Sequence, residues 1–201
     1  MSETRKGMLL VISGPSGTGK GTIIEQLMKA DDNLVFSVSA TTRAPRPGEV
    51  DGVHYHFMSV GHYRELVAVG AFIEHAEVHG NLYGTLRREV DERLARGEDV
   101  VLDIDVQGAL NVIGSGIECV SIFILPPSLK VLRERLTGRG TETPEQIERR
   151  LHNAIEEITH KDKYQYKVIN DDLDVAVRTM QTIIEAQRHA TVYYSVEVPE
   201  E

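Results

Sequence analysis

The chain of 201 residues has one cysteine, no long apolar run and no cluster of basic residues. A lone Cys119 cannot close an internal disulfide, and beside the apolar run at 120–124 it reads as core filler. No stretch approaches the roughly 18 apolar residues of a membrane span, and nothing resembles a signal peptide, so a cytoplasmic location is expected. A net charge of −9 without a basic run argues against a nucleic-acid binder, whose affinity rests on neutralised phosphates. Repeats and low-complexity linkers are also missing. With 41% hydrophobic residues the chain can bury a sizeable core as one domain, with room for mobile subdomains.

What is present is a glycine loop. Met8-Leu9-Leu10-Val11-Ile12-Ser13 reads as a fully buried strand, Gly14-Pro15-Ser16-Gly17-Thr18-Gly19-Lys20 follows, and Ile23, Ile24, Leu27 and Met28 open a helical spacing. Strand, glycine loop and helix are the setting a phosphate loop needs. Glycines at 14, 17 and 19 allow positive φ and close approach, so that successive N–H groups converge on anionic oxygens. The helix start adds unpaired N–H groups and the positive end of its dipole, and Lys20 brings a mobile charge for β- and γ-phosphates. The strict pattern has Ser or Thr directly after the lysine to hold magnesium. Here Gly21 stands there and Thr22 follows, so either Thr22 takes part or water ligates the metal.

Downstream, 34–39 reads as a second strand running into Thr41-Thr42-Arg43-Ala44-Pro45-Arg46-Pro47-Gly48-Glu49. Two arginines three apart suit a second anion better than one lysine does, although a solvated basic turn has the same composition. Residues 53–58 alternate like a short strand, Ser59 can cap the next helix and Gly70 can end it. Residues 72–78 read as a strand and 79–84 as a turn-rich stretch. His54 with His56, or His75 beside Glu74 and Glu77, lack a recognisable metal spacing and are expected at the surface or the core edge. Thr85 can cap a charged helix that reaches Arg96 and stops at Gly97.

The apolar run 100–105 meets two carboxylates, Asp103 and Asp105. Acids at the C-terminal end of a parallel strand suit a magnesium-phosphate or substrate role, and a helix cap fits either one equally well. Residues 120–125 read as a buried strand, and Ser128 caps a helix through Leu136. A glycine-hinged stretch precedes Thr143-Pro144-Glu145-Gln146, a capping box with proline at the first helical position. The helix that follows carries Ile147, Leu151, Ile155 and Ile158 on one stripe. Arg135, Arg139, Arg149 and Arg150 around the hinge fit a lid over a triphosphate or an ordinary solvated face. Residues 166–170 read as the last strand and 173–193 as the last helix. Such alternation implies an α/β fold, a mainly parallel sheet flanked by helices, with 35–96 as an inserted lobe.

The phosphate loop, the segment 37–49, Phe72-Ile73-Glu74 with Gly80-Asn81-Leu82-Tyr83-Gly84, Leu102-Asp103-Ile104-Asp105-Val106-Gln107-Gly108, and Gly138-Arg139-Gly140-Thr141-Glu142 together resemble the guanylate kinase family over nearly the whole chain. The resemblance implies a single P-loop NTPase-type domain with a core at 7–34, 97–125 and 165–195, a GMP-binding lobe at 35–96 and a helical lid at about 137–155. It also implies transfer of the γ-phosphoryl group of ATP to GMP, with magnesium, in purine nucleotide metabolism and GMP recycling.

Carried onto this chain, Gly14, Pro15, Ser16, Gly17, Thr18, Gly19, Lys20, Gly21 and Thr22 would bind ATP, with Asn170 near adenine. Arg43 and Arg46 would grip the GMP phosphate with Tyr55 and Tyr83. Ser39, Glu74, Thr85 and Asp105 would surround guanine, with Asp103 counted beside them. Lys20, Arg43, Arg135, Arg139 and Arg150 would carry the catalytic charge, and Thr22 or Asp103 would lie near magnesium. The partners implied are ATP and GMP, not nucleic acid or membrane, with homo-oligomer formation left open. Leu82 departs from the aromatic residue of many relatives.

A carboxylate can accept from guanine N1–H and the adjacent amine together, whereas adenine offers an unprotonated N1. Glu74 could therefore carry most of the base choice with Ser39. Adenylate kinase also suits Gly19-Lys20-Gly21-Thr22, but the Ser39, Arg43, Arg46, Tyr55 and Glu74 set argues against it. A silent phosphopeptide-binding relative would have a degraded phosphate loop, while Lys20 is present here.

Overall fold

The computed structural model describes residues 2–78, 80–138 and 143–199; His79 and the expected lid residues Arg139, Gly140, Thr141 and Glu142 lie outside the described residues. The first half of the chain runs β1 (Ser2–Arg5), β2 (Leu9–Ser13), α1 (Lys20–Ala30), β3 (Leu34–Phe36), β4 (Ala40–Thr41), β5 (His56–Phe57), α2 (Val60–Ala68), β6 (Phe72–Val78), β7 (Asn81–Leu86) and α3 (Arg87–Ala95). The second half runs β8 (Asp99–Asp103), α4 (Val106–Gly114), β9 (Val120–Leu125), α5 (Leu129–Thr137), α6 (Pro144–Ile158), β10 (Tyr166–Ile169), α7 (Leu173–Arg188) and β11 (Tyr194–Glu197).

Five strands form the central sheet in the order β10-β9-β2-β8-β3, every neighbouring pair parallel. Strand β2 shows why its sequence is apolar without alternation: both of its faces are covered. Leu10 and Ile12 pack with Ile23, Ile24 and Leu27 of α1 and Met180 and Ile184 of α7. Leu9 and Val11 join Val90 of α3 and Val106, Ala109 and Val112 of α4 on the other side.

A second sheet, β5-β4-β7-β6, has a small core of its own at Ala40, Tyr63 and Phe72, where the two rings stack 4.6 Å apart. Helices α5 and α6 share a third core of Leu132, Leu136, Ile147, Leu151 and Ala154. Strands β1 and β11 pair antiparallel as a separate ribbon that the sequence pattern does not announce.

Several boundaries differ from expectation for local reasons. The strand from Leu34 ends at Phe36, because Val38 N–H leaves the sheet to donate to Glu89 Oε1 at 3.1 Å. Of 53–58 only His56–Phe57 is strand. Val53 and His54 donate back to Val50 O, and Gly52 N–H to Tyr55 O, which makes 50–55 a compact turn. The stretch read as turn from 79 is mostly strand β7, the second arm of a hairpin with β6. Thr85 therefore lies inside a strand, and Leu86 occupies the start of α3 with no side-chain cap.

Of the two carboxylates for which a helix cap was open, Asp105 takes that role: it caps α4, whose span was not read from the sequence, by accepting from Gly108 N–H at 2.7 Å. In α6 the inward stripe runs Ile147, Leu151, Ala154, while Ile155 is 43% exposed. The last helix stops at Arg188. Ser59, Ser128 and the Thr143–Gln146 capping box cap as their sequences indicate. Cys119 is half-buried against the second central cluster, and burial pushes its thiol up.

At the N-terminal edge of β8 the fully buried Asp99 collects the chain ends. Its Oδ1 accepts from Arg5 Nη1 at 2.7 Å and Met8 N–H at 2.9 Å, and its Oδ2 accepts from Asn33 Nδ2 at 3.1 Å and Arg188 Nε at 2.9 Å. A buried carboxylate is stable only when its oxygens are filled in this way. Removing one partner of such a set costs about 3–5 kcal/mol, which for a chain of this length lowers Tm by roughly 6–20 °C. Asp99→Asn is expected to show that loss in calorimetry; a shift below about 2 °C would mean the cluster does not hold the ends together.

Candidate active site

The loop between β2 and α1 is shaped by what lies beneath it. Gly14 has φ +149°, and a Cβ there would stand 2.4 Å from the Ile124 carbonyl oxygen. Gly19 has φ +84°, and a Cβ there would stand 2.4 Å from Asn170 Nδ2. Asn170, at the end of β10, is buried and donates to Thr18 O at 2.7 Å, so its amide braces the loop backbone. Arg135 of α5 donates to Thr18 O at 3.4 Å and to Asn170 O at 3.0 Å, and Arg150 of α6 reaches Ser16 Oγ at 3.4 Å. Arg135 and Arg150 thus converge on the loop from α5 and α6.

Lys20 opens α1 and ion-pairs with Asp103 Oδ1 at the end of β8, with a further bond to Ile104 O at 3.2 Å. Strand register makes this possible, since Ile12 of β2 pairs with Asp103. The loop, Lys20, Thr22, Asp103, Asp105 and Glu157 of α6 line a cavity of about 440 Å³. Burial first, and then Asp105, pushes the Glu157 carboxyl up, against the pull of Lys20. Gly21 has nothing within 4 Å of where a Cβ would stand, so space does not require glycine there. A larger cavity of about 610 Å³ lies between α2 and α3, where His56 pairs with Glu89 at 2.7 Å. It includes no phosphate-loop residue, and the chemistry is assigned to the smaller one.

The second sheet supplies the other expected residues. Arg43 follows β4, with its guanidinium 5.3 Å from the Tyr55 ring centre and 5.8 Å from that of Phe57, and Tyr55 meets Tyr83 edge-on at 6.1 Å. Glu49 takes both terminal nitrogens of Arg43, at 2.8 and 2.9 Å, and those bonds hold its carboxyl down at about 2. Arg46 is exposed with no side-chain hydrogen bond among the described residues.

Glu74 on β6 is half-buried and accepts from Thr85 Oγ1 at 2.8 Å through Oε1. Burial pushes its carboxyl up, with the Asp105 charge adding to the effect. A Cβ on Gly108 would stand 3.3 Å from Asp105 Oδ1 and 3.4 Å from Glu74 Oε2, so the two acids approach across the start of α4. Ser39 lies in the segment between β3 and β4, its carbonyl accepting from His56 N–H at 2.9 Å.

Two groups at the site have no role in the sequence reading. Glu49 was legible only through its turn, since Pro47-Gly48 folds the chain back on itself. Glu157 had no signal, because its position depends on how α6 packs. Among the described residues no three acid, histidine or cysteine side chains converge as a metal cage. The oxygen donors bordering the cavity, Thr22 and Asp103 among them, suit a hard cation that keeps most of its waters.

The profile of the family described as guanylate kinase matches residues 6–187. A guanylate kinase of Clostridium perfringens (strain SM101 / Type A) is 47% identical over 92% of this chain and 86% of its own length. One from Carboxydothermus hydrogenoformans is 49% identical over 91% and 90%. The crystal structure of guanylate kinase from Anaplasma phagocytophilum superposes with a TM-score of 0.72 at 34% identity, covering 96% of this chain and 92% of that one. The chain belongs to the guanylate kinase family.

Proposed function

We propose that this protein transfers the γ-phosphoryl group of ATP to GMP, yielding ADP and GDP, with the phosphate loop as donor site and the second sheet as acceptor site. The observation that carries the acceptor is Glu74. A carboxylate pressed into a half-buried position beside Asp105 needs hydrogen-bond donors, and Thr85 fills only one of its oxygens. Guanine N1–H and its amine are two adjacent donors; adenine has an acceptor at that place. Thr85 orients the carboxylate, Ser39 faces O6, and Asp105 adds a second acceptor. Arg43, Arg46, Tyr55 and Tyr83 take the GMP phosphate.

The attacking oxygen belongs to a phosphate that is already anionic, so the chain has no need of a general base. Its work is alignment and charge neutralisation. Lys20, freed from Asp103, neutralises the transferring group, with Arg135 and Arg150 beside it; Arg139 is assigned to the same charge by family resemblance alone. Thr22 and Asp103, which border the cavity, would be the residues to hold magnesium, since Gly21 offers no hydroxyl, and the ion would supply further neutralisation of the phosphate oxygens. The separate cores of the second sheet and of α5–α6 support reading 35–96 as the GMP lobe and about 137–155 as the lid, two bodies able to move on the central sheet. Among the described residues no helix is long and apolar enough to cross a membrane. We place the enzyme in the cytoplasm, in purine nucleotide metabolism and GMP recycling.

The deciding assay is ADP formation with GMP, AMP, UMP and CMP as acceptors. GMP is expected to lead by several orders of magnitude, on the order of 10⁴, because a hydrogen-bonding site rejects a ligand that leaves its groups unpaired. Equal rates with AMP would sink the assignment. Lys20→Ala should lower kcat by about 10²-fold or more while GMP affinity stays near wild type. Glu74→Gln should erase most of the GMP/AMP preference; an unchanged ratio would remove Glu74 from base recognition.

A pH profile follows from the same residue. GMP binding uses the ionised Glu74, whose pKa lies above the ordinary glutamate range. The KM for GMP should be flat at high pH and climb as pH falls through that raised pKa. Glu74→Gln lacks the limb but keeps the titration of the substrate phosphate, near 6, so the difference between the two profiles isolates Glu74. Superimposable profiles would contradict the role.

A further inference from the structure

Arg43 is not held the way a free phosphate-binding arginine would be. Pro47 and Gly48, the latter at φ +88°, make a tight turn closed by Glu49 N–H donating to Arg46 O at 3.0 Å. The turn returns Glu49 to Arg43, six residues earlier in the chain. Glu49 Oε1 accepts from Arg43 Nη2 at 2.8 Å, and Oε2 accepts from Nη1 at 2.9 Å and from Arg46 N–H at 2.7 Å. The second Nη1 hydrogen goes to Ala44 O at 2.8 Å. Both side chains are well shielded, 14% exposed for Arg43 and 18% for Glu49.

This accounts for three of the five N–H groups of the guanidinium. The end-on edge, Nη1 with Nη2, belongs to the protein. One edge is left, formed by Nε–H and the remaining Nη2–H, and that edge can still chelate two oxygens of a phosphate. One face of the plane lies toward Tyr55, and the hydroxyl of its ring partner Tyr83 reaches the guanidinium as a hydrogen-bond partner, a contact that the nucleotide phosphate would share or take over at the remaining edge.

We propose that Glu49 is a positioning residue for acceptor recognition. By occupying the end-on edge it presents the Nε–Nη2 edge of Arg43 as the single bidentate receptor for the nucleotide phosphate, and it keeps the loop at one net positive charge where Arg43 and Arg46 alone would make two. The inference rests on reading Arg43 as the holder of the GMP phosphate. Its content is that orientation, more than total charge, sets acceptor affinity at this loop. A site relying on charge alone would bind GMP more tightly once Glu49 were neutralised; a site relying on orientation would bind it less tightly.

The test is Glu49→Gln, alone and in an Arg43→Ala background, with steady-state kinetics for both substrates. The single variant should raise the KM for GMP about tenfold or more, the scale of losing a hydrogen-bonded charge contact, while the KM for ATP and kcat at saturating GMP stay within about twofold. Glu49→Asp, which keeps the charge and loses reach, should fall between. In the Arg43→Ala background Glu49→Gln should add nothing further, because its effect passes through Arg43. ATP binding by calorimetry reports whether each variant is folded, and Glu49→Asp carries the test if Glu49→Gln does not bind ATP. An unchanged or lowered KM for GMP, or an effect that adds fully to Arg43→Ala, overturns the proposal. Those results with a raised KM in Arg43→Ala leave the acceptor site standing; an unchanged KM in Arg43→Ala would instead refute the placement of the phosphate at Arg43.

Discussion

A side-chain cation that is to meet a phosphate has to be kept in place before the phosphate arrives, and here protein oxygens do that. Lys20 is held by Asp103 and the Ile104 carbonyl, Arg135 by the carbonyls of Thr18 and Asn170, and Arg43 by Glu49. Left without partners in a cleft, these groups would each face a desolvation cost, and flexible side chains would sample many rotamers. On the proposed reading the ATP phosphates replace Asp103 at Lys20, whereas the GMP phosphate adds to the edge of Arg43 that Glu49 leaves open. That suits a reaction in which alignment and charge supply most of the catalysis.

The parallel sheet makes the exchange possible on the donor side. β2, β8 and β10 all end at one edge, so the phosphate loop, Asp103 and Asn170 meet without any of them being close in sequence. Ligands gather at the carboxyl ends of open parallel sheets because the chain reverses there and leaves backbone groups unpaired. At the opposite end of β8, Asp99 ties Arg5, Asn33 and Arg188 together, and this holds the first and last elements to the same frame. The residues of the proposed acceptor site come from the second sheet and its loops, joined to the first where Glu74 nears Asp105 at the start of α4.

Much of the central fold was legible because its signals are local. An apolar run, three glycines and Lys20 define strand, loop and helix start within twenty residues, and Thr143-Pro144-Glu145-Gln146 defines a helix start within four. The second sheet was harder to read. Strand β7 contains Asn81 and Gly84, residues that favour turns in isolation; pairing with β6 and packing on Phe72 and Tyr63 override that preference. Thr85 looked like a cap and instead donates to Glu74, and Ile155 fitted a stripe whose inward place belongs to Ala154. The α4 helix, only nine residues long, begins at Val106, directly after the apolar run, with Asp105 as its cap. The phosphate loop, Lys20, Asp103 and Asp105 border one cavity, whereas Glu157 could be found there only once the chain was folded and Glu49 was legible only through its turn.

The central claim is that one chain presents a donor site at Lys20 and an acceptor site at Arg43 and Glu74 close enough for direct transfer. Its most direct test is binding of a single molecule in which adenosine and guanosine are joined 5′ to 5′ through a chain of phosphates. The account predicts one molecule bound per chain, competition with both ATP and GMP, and affinity well above that of either nucleotide alone, since the second contact is made intramolecularly. Binding of two molecules per chain, or competition with only one of the two substrates, would contradict it.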